Sequence, residues 1–229
     1  MMTALLDSWF TRHERARIFP FVGFILLLAL EPWLAAALTW LGAGAEPTYL
    51  LRSVCALLLL LYFRRDYLEL RVTPTFNQAL AALLAGWLVF LLWIIPYPTW
   101  LGGHDGRIVA AMPMQSSADV FWLMCRWSGS ALVVPVIEEL FWRAYLMRRL
   151  DSADFMSVVP ATVTAYAIAV SSVLFAVEHQ LWLAGLLAGL VYAWLYRRFQ
   201  VLWVSILAHV TTNAVLGLWV VYGGHWQYW

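Results

Sequence analysis

Two adjacent carboxylates and a guanidinium sit inside an apolar run, Pro135-Val-Ile-Glu138-Glu139-Leu-Phe-Trp-Arg143. In a bilayer each ionised group costs about 2.5–3.5 kcal/mol on insertion scales, so such groups face a bundle interior or a wet cavity and have partners. On a helix Glu139 and Arg143 are four apart and can pair. Glu138 lies roughly 100° away on the helix wheel and is not accounted for by that pair. The run therefore offers one carboxylate held by an arginine and one free to act on a proton.

Two further constellations follow. In Phe175-Ala-Val-Glu178-His179 the aromatic ring and the imidazole are four apart and share a face. Imidazole exchanges protons near neutral pH. Glu178 points elsewhere on the wheel and reads as a rim charge; a structural histidine at a helix end is the plainer alternative. In His209-Val-Thr-Thr-Asn213 two polar side chains are again four apart, inside an apolar run. Two donors converging from one helix wall suit an oxyanion; helix–helix hydrogen bonding would also explain them. Gly185-Leu-Leu-Ala-Gly189 allows close helix packing. The chain has no HExxH helix, no GxSxG elbow and no P-loop. Cys55 and Cys125 have no metal-binding spacing and read as small packing residues.

These groups need elements to position them. The chain is 64% hydrophobic and only 12% charged, with mean hydropathy +0.77. That composition is far from a soluble domain's and implies a membrane protein. The net charge of +1 gives no footprint for nucleic acid. The expected fold is all-α: a polytopic transmembrane helical bundle of about seven spans (six to eight), forming one domain over residues 1–229. The runs are about 18–41 with a kink at Glu31-Pro32, 49–63, 77–95, 130–150 after an interfacial segment from 119, 157–177, 181–196 and 201–222. Arginines cluster at 12–17, 64–71, 148–149 and 197–198, and are sparse in the alternate loops. The positive-inside rule then puts the N-terminus in the cytoplasm and, over seven spans, the C-terminus outside.

In order and spacing the three patterns, Glu-Glu-x-x-x-Arg, Phe-x-x-x-His and His-x-x-x-Asn, resemble the CPBP family of intramembrane proteases, also called the Abi or CAAX-protease family. The resemblance covers Glu138 to Asn213, within a motif-bearing core at 130–222, and the short chain is similar to the bacterial exosortase-associated subgroup. It implies an intramembrane endopeptidase cutting near the C-terminus of a membrane-anchored protein or peptide. Glu138 would activate water with His179 assisting, His209 and Asn213 would form an oxyanion hole, and Glu139, Arg143 and Phe175 would support them. No cofactor is implied.

A second reading assigns zinc to Glu138, His179 and His209, a set similar to catalytic zinc sites. The resemblance places the protein in the plasma membrane, with a membrane-anchored substrate, the lipid bilayer and a sorting system as partners and no nucleic acid. A non-catalytic immunity or scaffold protein that kept the motifs is the contrasting class. Hairpin counting leaves Glu138 and His179 at opposite membrane faces, so the mechanism requires the fold to bring them together.

Overall fold

The computed structural model describes residues 9–42, 47–103, 114 and 116–228. Eight helices carry the fold: α1 (Arg12–Ala29), α2 (Glu31–Trp40), α3 (Pro47–Tyr62), α4 (Phe76–Trp93), α5 (Ser117–Arg149), α6 (Ala165–Val177), α7 (Trp182–Phe199) and α8 (Leu202–Gly223). No strand occurs among the described residues. His104 and Arg107, in the loop expected at 96–117, lie outside them.

Local chemistry sets many of the helix ends. Thr11 with Glu14, Thr75 with Gln78 and Ser116 with Asp119 form reciprocal capping boxes at the starts of α1, α4 and α5. Thr164 caps α6. Gly224, at φ 71°, ends α8 in the left-handed conformation that glycine adopts without penalty.

Helix α5 is the unusual element. Pro135 has no N–H to give to the carbonyl four residues back. Ahead of it the helix widens to a π turn over Gly129–Val133, where the Val134 N–H reaches the Gly129 carbonyl. A second π segment, Leu140–Leu146, follows directly on Glu139. Such insertions recur at functional sites. The two carboxylates thus sit on the short regular piece Val134–Glu139 between two widened turns.

Helix α8 runs through the centre, against α4, α7 and α5; α6 packs on α7, and α1 on α3. Close approach depends on small residues. A Cβ on Gly86 of α4 would stand 2.4 Å from the Ala208 carbonyl oxygen of α8. Gly189 and Gly185 of α7 abut Ser172 and Ala176 of α6, so the GxxxG face packs inside the chain.

The expectation of about seven spans is not met. Among the described residues three helices are long and apolar enough to cross a membrane: α4, α5 and α8. A fourth span arises only if α1 and α2, bent by 62°, count as one. The reason is length and polarity. Helix α3 has 16 residues. Helix α6 has 13, about 20 Å against a hydrocarbon core of about 30 Å. The span expected from 157 starts later, because Phe155–Ser157 and Pro160–Thr162 form 3-10 turns. Helix α7 is largely buried and ends in Arg197 and Arg198. The placement of the C-terminus by counting seven spans falls with that count. The interfacial segment from 119 and the span from 130 are not separate elements: α5 continues through Gly129 and Pro135 for 33 residues, about 50 Å. The long apolar helices still make this a membrane-associated protein.

Two ionic clusters tie the periphery. Glu69 bridges Arg17, fully buried, and Arg148, the latter at 3.1 Å. Arg148 also donates to the Val158 and Met156 carbonyls at 2.9 and 3.0 Å, fixing the turn before α6. At the α1–α2 bend Glu31 accepts from Arg52 at 2.6 Å and Thr48 at 3.0 Å, which holds the kink expected at Glu31-Pro32.

Removing one partner of a buried ion pair costs about 3–5 kcal/mol, because the other charge is stranded. Glu69→Ala strands two arginines and is expected to destabilise the fold by at least that amount, read as a lowered thermal midpoint in detergent. Arg65→Ala, an exposed change, serves as the control and is expected to leave the midpoint unchanged.

Candidate active site

The site is organised by Glu139, whose side chain is fully buried. Its Oε2 lies 3.2 Å from Arg143 Nε, the pairing expected one helical turn on. Its Oε1 lies 3.0 Å from His209 Nδ1. A carboxylate facing a guanidinium is an acceptor, so His209 donates from Nδ1 and turns Nε2 towards Glu138, whose Oε2 is 3.9 Å away. Arg143 also donates to the Gly189 carbonyl at 3.2 Å. Its guanidinium lies 4.5 Å from the Phe175 ring centre and 5.5 Å from that of Tyr192.

His179 lies in the turn just past α6. Its Nδ1 is 2.8 Å from the Phe175 carbonyl. A carbonyl only accepts, so Nδ1 carries the proton and Nε2 is left as an acceptor. The Phe175 and His179 rings are 4.7 Å apart, which bears on the role expected of Phe175. Burial pushes the His179 imidazole down to about 4, so it is neutral at pH 7. A Cβ on Gly185 would stand 3.2 Å from the His179 Cβ, so the small residue of α7 makes room for the imidazole.

Asn213 donates from Nδ2 to the Ser130 carbonyl at 2.9 Å, which joins α8 to the first π turn of α5. One N–H of its amide remains. A cavity of about 160 Å³ is lined by Glu138, His179, His209, Asn213 and Phe175, with Tyr192 among the further walls. Glu138 Oε2 has no hydrogen-bond partner among the described residues. The four residues expected to act together thus share one space, although simple hairpin counting had separated Glu138 from His179. The short α6 and the turns before it account for the difference.

Sequence reasoning missed Tyr192. Its ring stacks on His209 at 4.8 Å and 21°. Its hydroxyl donates to Thr212 Oγ1 at 2.8 Å, which sits 3.0 Å from the Gly86 carbonyl. A signal was present: Gly185, Gly189 and Tyr192 follow the i, i+4, i+7 rule of one helix face. Glu178 was read as a rim charge. It is exposed, but its carboxyl turns back to accept from the Trp142 indole N–H at 3.2 Å. Burial pushes it up to about 7, against the Trp142 hydrogen bond and Arg143, which favour the charged form.

Among the described residues no group of three or more His, Cys, Asp or Glu side chains is arranged to hold a metal ion. Glu138, His179 and His209 do not form a ligand set as placed here. Both histidines commit Nδ1, to Phe175 and to Glu139, and leave Nε2 as the free nitrogen of each ring, an orientation that a metal-ligating histidine also uses.

Residues 116–215 match the family described as type II CAAX prenyl endopeptidase Rce1-like. That stretch runs from the start of α5 into α8, less than half of the chain, and holds every residue of the three patterns. It shows homology to this CAAX-protease family over that part and supports a peptidase function. No curated protein and no solved structure is matched by the chain at a significant level.

Two outcomes follow. Glu139→Gln removes the charge that fixes the His209 tautomer. In ¹⁵N-histidine NMR of the detergent-solubilised protein, His209 is expected to show Nδ1–H in the wild type and a mixture with Nε2–H in the variant. Glu178 is expected to titrate near pH 7, charged above and neutral below, when followed by ¹³C-carboxyl NMR. Trp142→Phe removes a group that favours the charged form and is expected to move that midpoint upward.

Proposed function

We propose that this protein is an intramembrane endopeptidase that hydrolyses a peptide bond near the C-terminus of a membrane-anchored protein or peptide. The observation that carries this reading is the meeting of Glu138, His179, His209 and Asn213 around one cavity, within the stretch that matches the protease family.

In this mechanism Glu138 takes a proton from water as the oxygen attacks the substrate carbonyl carbon. His179, neutral with an accepting Nε2, orients the same water. The remaining Asn213 N–H donates to the oxyanion. His209 offers an N–H there only when Nε2 gains a second proton, because Nδ1–H is committed to Glu139. The proton abstracted by Glu138 can pass to that Nε2, 3.9 Å distant, after a small side-chain shift. The imidazolium so formed is neutralised by Glu139, stabilises the oxyanion, and then protonates the leaving amine. Arg143, Phe175 and Tyr192 hold the pieces in place. The arginine clusters favour an N-terminus in the cytoplasm. The substrate class favoured is a C-terminal anchor peptide presented by a sorting system.

The test is cleavage of a library of membrane-anchored C-terminal peptides by purified protein in nanodiscs. Glu138→Ala is expected to lower the rate by about 10²–10⁴, the usual contribution of a general base. Asn213→Ala is expected to lose about 10²–10³, as for one oxyanion donor. Wild-type activity that persists in a strong chelator supports the glutamate mechanism; activity lost to the chelator favours the zinc reading. Full activity in Glu138→Ala would sink the proposal, and absence of any cleavage across the library would favour the non-catalytic class.

A further inference from the structure

A second pocket of about 220 Å³ adjoins the catalytic cavity and shares Trp93, His179 and Tyr228 with it. Its other polar walls are Glu178, Gln180 and Gln227. The lining combines one carboxylate, two side-chain amides that both accept and donate, and the rings of Trp93 and Tyr228; Glu178 is the one charged group among the described lining residues. Trp142 N–H to Glu178 Oε2 is the one side-chain hydrogen bond of Glu178 among the described residues, so that carboxylate keeps accepting capacity for a ligand. No arginine lines the pocket.

From this geometry we infer that the pocket beside Glu178 is a binding site for an organic cation, a guanidinium or ammonium group. Above pH 7, where Glu178 is charged, its carboxylate and the Trp93 and Tyr228 rings are the chemistry that recognises such a group. The inference rests on the proposed function for its use: a cation seated there belongs to a basic residue close to the scissile bond, since the two spaces share His179. A free α-carboxylate in the same place meets Glu178 at close range and is disfavoured. Glu178 is thus a specificity-determining residue, and the preferred substrate is cut beside a basic side chain rather than presented by a bare C-terminal carboxylate.

Binding is tested without a substrate. Full-length protein in nanodiscs is titrated with arginine amide, and the Trp142 indole N–H resonance, assigned with Trp142→Phe, is followed. Citrulline amide, of the same shape without the charge, and calcium chloride are run in parallel. Arginine amide is expected to shift the resonance saturably, with affinity at least tenfold weaker in Glu178→Gln. Glutamine can still accept from Trp142, and the variant's thermal midpoint checks that it folds. Citrulline amide that binds as well, calcium that displaces the ligand, an unchanged affinity in Glu178→Gln, or no saturable shift each overturns the inference. Matched peptides carrying arginine or citrulline near the scissile bond then separate a substrate side chain from a free small cation. Arginine is expected to raise kcat/KM at least tenfold in the wild type, and equal cleavage of both overturns the specificity role. Glu138→Ala is expected to stop cleavage yet retain arginine amide binding, so the two readings fail separately.

Discussion

Everything around the cavity depends on one buried carboxylate. Glu139 is shared between Arg143 and His209, at 3.2 and 3.0 Å, with no exposed side-chain surface. A charge so placed is tolerable only while both neighbours stay. Arg143 in turn rests on the Phe175 ring and the Gly189 carbonyl. Helices α5, α6, α7 and α8 are therefore pinned to one group. The pairing does more than hold the helices. It fixes which nitrogen of His209 carries a proton, and so which one faces Glu138.

The backbone makes this arrangement possible at two kinds of place. Helices come close where side chains are small: Gly86 against Ala208, Gly189 against Ser172, Gly185 against His179. Helix α5 changes its turn where function needs a different aim. Its two widened turns lie on either side of Glu138 and Glu139, and Ser130 in the first of them accepts from Asn213. A uniformly regular α5 would rotate the carboxylates relative to Ser130 and break that register. The short α6 supplies the last adjustment, because a full-length span there would carry His179 past the cavity.

Much of the site was legible because it rests on helical spacing. Glu139–Arg143, Phe175–His179 and His209–Asn213 are all four-residue relations, and the first two appear as direct contacts. The helices also fall where the apolar runs do. What spacing cannot show is contact between distant segments, such as Glu139 with His209, Tyr192 on His209, or Trp142 with Glu178. Nor does hydropathy separate a helix that crosses a bilayer from a short one packed inside a bundle. Helices α3 and α6 are apolar enough but too short, which is why the span count was overestimated. The continuity of α5 was hidden by Gly129 and Pro135, which the π turn accommodates without a break.

Two neighbouring glutamates of the same kind thus acquire opposite characters from a rotation of one residue on a helix. Glu139 points at a permanent cation and is fixed. Glu138 points at an open space and an imidazole nitrogen. Glu178 approaches the same region from the end of α6. Three carboxylates then stand around one guanidinium and two imidazoles. Such a cluster has an excess of negative charge unless a proton or an outside cation offsets it. In the proposed reaction a proton must stay in the site for the departing amine, and Glu138 with His209 would hold it. In the proposed selectivity the charge at the mouth is that of Glu178. On that reading the acidic excess serves hydrolysis and selection together, in a space small enough for each charge to act on the others.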